Sequence, residues 1–197
     1  MILCRAFPTS ALVIQCRRAR RRRCHPALPR GEYSSPYRTT VIGFKSASEN
    51  GGEAVSSFVH LHVHSEYSLL DGLARLPQLC KYAKRSGMEA LALTDHGQMY
   101  GVIKFQRAAE EAGIKPIYGC EGYQAPRSRH QKEPRLDSKA YHLILLARNM
   151  TGYKNLLKLV TRANLEGFYY RPRVDRELLS EYAEGLICLS ACMSGEV

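Results

Sequence analysis

No stretch of this chain approaches the roughly 18 consecutive apolar residues that a membrane helix needs, so no spanning helix is expected and no membrane partner. The seven cysteines include no Cys-x-x-Cys pair, and three of them (Cys4, Cys16, Cys24) fall in an irregular leading segment. That pattern excludes a disulfide framework and fits a reducing, cytoplasmic setting. Acidic residues are scarce at the start: residues 1–55 carry ten Lys/Arg against three Asp/Glu, a net of +7, while residues 56–197 net only +4. The overall charge of +11 therefore describes the leading segment more than any folded part. A domain at +4 is compatible with a polyanionic partner without demanding one.

Residues 1–55 are read as a basic extension. They contain Arg17-Arg18-Ala19-Arg20-Arg21-Arg22-Arg23, scattered Pro and Ser, and no sustained amphipathic period. Three readings stay open: an organellar transit peptide, a basic arm for nucleic acid, or a start assigned too early, with the true start near Val55, whose codon can be GTG. On each reading, residues 1–50 are expected to be mostly disordered.

From residue 56 the chain has 142 residues and a pattern that calls for one domain with a core. Phe58–His64 reads as a strand. Leu76, Leu79, Cys80 and Ala83 share a helical face closed by Gly87. Ala90–Thr94 is a second strand, Tyr100–Ala112 a helix ended by Gly113, and Lys115–Cys120 a third strand. Gln124–Lys139 is a polar loop, and His142–Ala147 an apolar strand. Tyr153, Leu156, Leu157 and Val160 mark another helix. Asp175 caps a short helix reaching Tyr182, and Leu186–Ser190 is the last strand. Such alternation predicts an α/β fold with a parallel sheet or barrel. A full barrel takes about 250 residues, so the chain is expected to hold a truncated one.

His60, His62 and His64 alternate with Val59, Leu61 and Val63. On a strand this puts the imidazoles on one face and the aliphatics on the other. Functional groups in parallel α/β folds gather at the carboxyl ends of strands. His62 and His64 end the first strand, and Asp71 follows at a Gly turn. Asp95-His96-Gly97 follows the second strand, Glu121 the third, and Cys192 the last. His142 opens its strand and is the geometric exception. Convergence of these segments on one rim predicts a metal centre. His60 lies one step deeper and is read as supporting or structural. Asp95 is read as orienting a histidine from behind, and Cys188 as a core thiol. His130 is read as exposed, and Arg127, Arg129, Lys132 and Arg135 as a solvated charged loop.

These motifs resemble the polymerase-and-histidinol-phosphatase (PHP) superfamily: His-x-His at 62–64, Asp71-Gly72, Thr94-Asp95-His96-Gly97 and Gly119-Cys120-Glu121. More narrowly, segments 64–72, 113–121, 151–156, 166–175 and 185–192 resemble the N-terminal PHP domain of bacterial replicative DNA polymerase III alpha subunits. The resemblance covers residues 58–197. It implies a distorted (β/α)7-type barrel, metal ligands at His62, His64, Asp71, His96, Glu121, His142 and Cys192, and catalytic roles for Glu121 and Asp71. It also implies up to three divalent ions, zinc first with manganese or iron also accommodated. The implied chemistry is phosphoester hydrolysis, a 3′→5′ exonuclease in the complete protein. The implied partners are the DNA primer-template 3′ end, the rest of a polymerase polypeptide, and replisome subunits such as the sliding clamp and a proofreading subunit. The family's last ligand pair, an Asp-x-His, and the polymerase catalytic aspartates would lie beyond Val197. Two further readings are a non-catalytic docking module and a histidinol-phosphatase-like enzyme. The polymerase-type segments weigh against the second.

Overall fold

The computed structural model describes residues 58–196 in full, together with the backbone of residues 3–6 and 12–15. The strands are β1 (Leu3–Ala6), β2 (Leu12–Gln15), β3 (Ala90–Leu93), β4 (Lys115–Gln124), β5 (Tyr141–Ala147), β6 (Arg173–Val174) and β7 (Leu186–Leu189). The helices are α1 (Leu76–Arg85), α2 (Val102–Ala112), α3 (Met150–Leu165) and α4 (Arg176–Glu181). The expectation of disorder over residues 1–50 falls mostly outside the described residues. The exceptions are β1 and β2, an antiparallel pair whose second strand runs parallel to β7.

The sheet runs β1-β2-β7-β5-β4-β3, with β6 added beside the end of β4. The class is α/β, as expected. Closure into a barrel is not seen among the described residues. The sheet is also mixed rather than parallel: β3 and β4 are parallel, while β5 is antiparallel to both β4 and β7. This resolves the exception noted for His142. Because β5 runs backwards, its first residues lie beside the last residues of β4, and Tyr123 pairs with His142.

Apolar spacing accounts for the layers. Leu76, Cys80 and Ala83 of α1 pack with Phe105 and Ala109 of α2 against Leu91 and Leu93 of β3. Pro77 opens α1, where its missing N–H costs nothing, and Gly113 closes α2 in the left-handed conformation at φ 66°. On the other side, Leu156, Leu159 and Ala163 of α3 and Leu178 of α4 cover Cys120, Leu143 and Leu145. The expected face of α3 is rotated: Leu159 is buried, whereas Leu157 is 39 % exposed. Asn149 caps α3 by accepting from the Gly152 N–H at 2.9 Å. Asp175 caps α4 as expected, accepting from Leu178 N–H.

The first predicted strand departs from regular pairing. The segment 58–64 runs beside β3, but Ala92 N–H bonds to His60 O while Thr94 N–H bonds to Val63 O. Two residues on β3 thus face three on its neighbour, a bulge-type mismatch that bends the chain at Leu61 and breaks the ladder. The alternation fails there as well, leaving Leu61 exposed rather than packed.

The loop after β4 also differs from the expected solvated charge cluster. Arg129 is buried, with Nη1 at 2.9 Å from Asp175 and Nε at 2.7 Å from Glu166. Arg127 holds the buried Asp137 through two bonds of 2.9 and 2.6 Å. Arg173, 1 % exposed, donates to the carbonyls of Gly167, Asp137, Arg129 and Gln131. Lys132, Arg135 and His130 are exposed, as expected.

Candidate metal centre

Glu121 is the hub. Its neighbour Cys120 packs into the core, so strand alternation turns the carboxylate the other way, toward the rim. There it remains 2 % exposed. One oxygen, Oε2, lies 3.2 Å from His62 Nε2 and 3.1 Å from His64 Nε2. The other, Oε1, lies 3.3 Å from His96 Nδ1 and 2.7 Å from His142 Nδ1. Four imidazoles from three chain segments therefore surround one carboxylate. Although His142 is near, the contact lacks the direction of a hydrogen bond, and Oε1 is buried without a partner. A buried acceptor left unpaired is costly unless a donor or cation is meant to meet it.

Charge follows geometry. Burial pushes the Glu121 carboxyl up, but the bonds from His62 and His64 and the fields of His96 and His142 outweigh it and hold the group well below the usual carboxylate range. The bond to Glu121 raises His64. Burial lowers His142, with the nearby Arg171 cation acting in the same sense against Glu121.

Hydroxyl groups behind the rim fix the orientation of two histidines. Thr94 Oγ1 donates to Val63 O at 3.2 Å and accepts from Val63 N–H at 2.9 Å. With that single proton on Val63 O, the 2.8 Å contact with His62 is made by Nδ1–H; a ring protonated at Nε2 alone would take the hydroxyl proton instead. Ser68 Oγ likewise donates to Asp95 at 2.7 Å and accepts from His64 Nδ1–H at 2.9 Å. With Nδ1 holding its proton in both rings, the proton that Nε2 shares with Glu121 is the one an incoming metal would displace, leaving Nε2 as the ligating nitrogen. Asp95 is 1 % exposed, and its link to a histidine runs through a hydroxyl rather than a direct bond. It accepts from Ser65 N–H, Ser65 Oγ and Ser68 Oγ at 2.7, 2.8 and 2.7 Å, and so acts on His64 through Ser68. Gly72 closes this loop: a Cβ there would lie 1.8 Å from Ser65 O.

The remaining expected residues join at the edges. His96 Nε2 meets Asp71 Oδ2 at 2.9 Å, and Tyr123 OH meets His96 Nδ1 at 2.8 Å. This bond to His96 holds the exposed Asp71 carboxyl below its ordinary value. Cys192 is exposed, with Sγ 3.8 Å from His142 Nδ1. All seven expected residues are thus connected, but only His62, His64 and Glu121 bring donor atoms within 4.8 Å of one another. Two neutral imidazoles and a carboxylate fit a divalent ion such as zinc, and the uncompensated Oε1 leaves capacity for a second. His60 stands apart, exposed and packed edge-on against Phe58. Half-buried Cys188 has its thiol pushed up to about 11 by burial, consistent with a core role. Sequence reasoning missed Ser68 and Tyr123 as contacts and passed over Thr94 within its own motif. A hydroxyl four residues after His64 was the available signal.

The PHP domain family matches residues 60–197. The DNA polymerase III subunit alpha of Treponema pallidum is 57 % identical over 142 residues, covering 72 % of this chain and 12 % of its own length. That of Borreliella burgdorferi is 56 % identical over 141 residues, again 12 % of its length. This chain therefore spans about an eighth of the curated relatives it matches. An amidohydrolase structure from Chromobacterium violaceum is similar over 54 % of this chain and 36 % of its own, at 23 % identity and a TM-score of 0.36. The match runs from the bent histidine segment through the last strand, and on that ground the chain belongs to the PHP domain family.

Proposed function

We propose that this chain is the N-terminal PHP domain of a bacterial replicative DNA polymerase alpha subunit and that its rim is a metal-dependent phosphoesterase, a 3′→5′ exonuclease in the complete polypeptide. One observation carries the site reading: a single buried carboxylate set among four imidazoles, with an oxygen left unpaired. His62, His64 and Glu121 would hold one ion. Glu121 would be shared with a second, toward His142 and Cys192, and Asp71 with His96 would serve a third, each zinc or, at the carboxylates, manganese or iron. A divalent ion there would supply Lewis acidity toward a phosphoryl oxygen and acidify a water. The protein's own part is orientation: Thr94 and Ser68 hold the Nδ1 sides of His62 and His64 and so turn Nε2 toward the ion, and Tyr123 holds His96. The partners on this reading are the primer-template 3′ end, the polymerase body, the sliding clamp and a proofreading subunit, in the bacterial cytoplasm.

The test is metal content by mass spectrometry together with release of 3′ nucleotides by the polypeptide that carries this domain. Stoichiometric metal and chelator-sensitive release are expected, with His62→Ala abolishing release but leaving the fold intact. Metal-free protein with no nuclease would refute the enzymatic reading, and turnover of a phosphate monoester alone would point to a phosphatase.

A further inference from the structure

A fixed cation stands beside a site built for cations. Arg171 lies in a tight turn in which Tyr169 N–H bonds to Arg171 O at 3.0 Å. Its guanidinium carbon sits 4.7 Å from the centroid of the Tyr123 ring. That ring contacts His142 at 5.2 Å between centroids, and its hydroxyl holds His96. Among the described residues, Arg171 has no carboxylate partner within ion-pair distance. The turn is seated on the site: a Cβ on Gly97, next to His96 and at φ 63°, would lie 2.7 Å from Pro172 Cγ.

A guanidinium without a carboxylate partner, one ring away from His96 and His142, would oppose cation binding at the rim. The placement is reasonable only if an anion joins the site. The neighbouring side chains suggest what carries that anion. Tyr170, at the tip of the turn, is 73 % exposed and held at φ 60°, a left-handed conformation that is costly for a residue with a Cβ. Phe168 is 52 % exposed. A planar cation beside outward aromatic rings is the combination that binds single-stranded nucleic acid, phosphate on the cation and base on the ring.

We propose that the turn 168–171 is the strand-binding element of this site, with Arg171 taking a backbone phosphate and Tyr170 stacking an unpaired base. This rests on the phosphodiesterase reading above and adds the substrate's form: a frayed single-stranded end rather than a duplex. The test uses the full chain in the presence of chelator, so no cleavage intervenes and metal loading is assayed separately. The probe is a fluorescein-labelled oligothymidylate of about ten nucleotides, followed by anisotropy across a salt series. Arg171→Gln is expected to weaken binding about tenfold and to lower the salt slope by about 0.7, the loss of one single-strand phosphate contact. Arg171→Lys should restore the slope but not the full affinity. Tyr170→Asn, which tolerates the left-handed backbone, should weaken binding about tenfold with the slope unchanged. Wild-type protein that does not bind the probe would overturn the proposal, as would variants that bind as wild type does. Either result would leave the metal content, and with it the reading of the metal centre, to stand or fall on its own assay.

Discussion

The positions that decide this site are hydroxyls behind the ligands. With the Thr94 proton on Val63 O, Thr94 Oγ1 accepts from His62 Nδ1–H and favours that tautomer. Thr94→Val removes the acceptor and frees the ring to choose the other tautomer. Zinc affinity, measured by competition with a chromogenic chelator, is expected to fall about 10- to 100-fold, with Thr94→Ser restoring most of it. Nitrogen chemical shifts of His62 should report the tautomer change in metal-free protein, separating it from any loss of fold. The cysteines divide as sharply. Burial pushes the Cys120 thiol up to about 12 and that of Cys80 to about 11, so both should resist alkylation at neutral pH. Exposed Cys192 should react, and zinc should protect it, as read by peptide mass spectrometry.

At the level of elements, the loop between β4 and β5 is organised by buried arginines rather than by solvent. Arg173→Met would strand carbonyl groups of Gly167, Asp137, Arg129 and Gln131 that now accept from one guanidinium. A loss of about 3 kcal/mol in urea unfolding is expected. Glu166 gives the pH signature. Arg162 first, then Arg129, holds its carboxyl down to about 2, against 4.5 for the free group. A depressed folded-state pKa stabilises above the unfolded value and is lost as pH falls through the folded one. Stability should therefore decline between pH 4.5 and about 2, and Glu166→Gln should flatten that decline. These elements also show what the sequence could reveal. α1, α2, β3 and the Asp175 cap were legible because periodicity and capping are local signals. The reversal of β5, the bulge at Leu61 and the buried Arg129 were not, because each depends on what lies opposite in space. The seven rim residues were legible as residue types in motifs. The hydroxyls behind them were not, since Ser and Thr are common everywhere and only geometry shows whose proton goes where.

For the whole molecule, the rim joins residues distant along the chain: His64 and Glu121 are 57 apart, and His142 and Cys192 are 50 apart. An ion bound there stabilises only the assembled state. At a free concentration about 100 times its Kd, zinc should add about 2.7 kcal/mol, visible as a Tm that rises with zinc and falls with chelator. No helix among the described residues is long and apolar enough to cross a membrane. The wide sequence separation also carries a consequence in time. Contacts that close long loops tend to form after local helices and neighbouring strands have docked, so the imidazole cluster should be absent from the folding transition state. Zinc should then leave the refolding rate nearly unchanged and slow unfolding by almost the full equilibrium factor. The bent histidine segment would act as a latch, closing last and opening first.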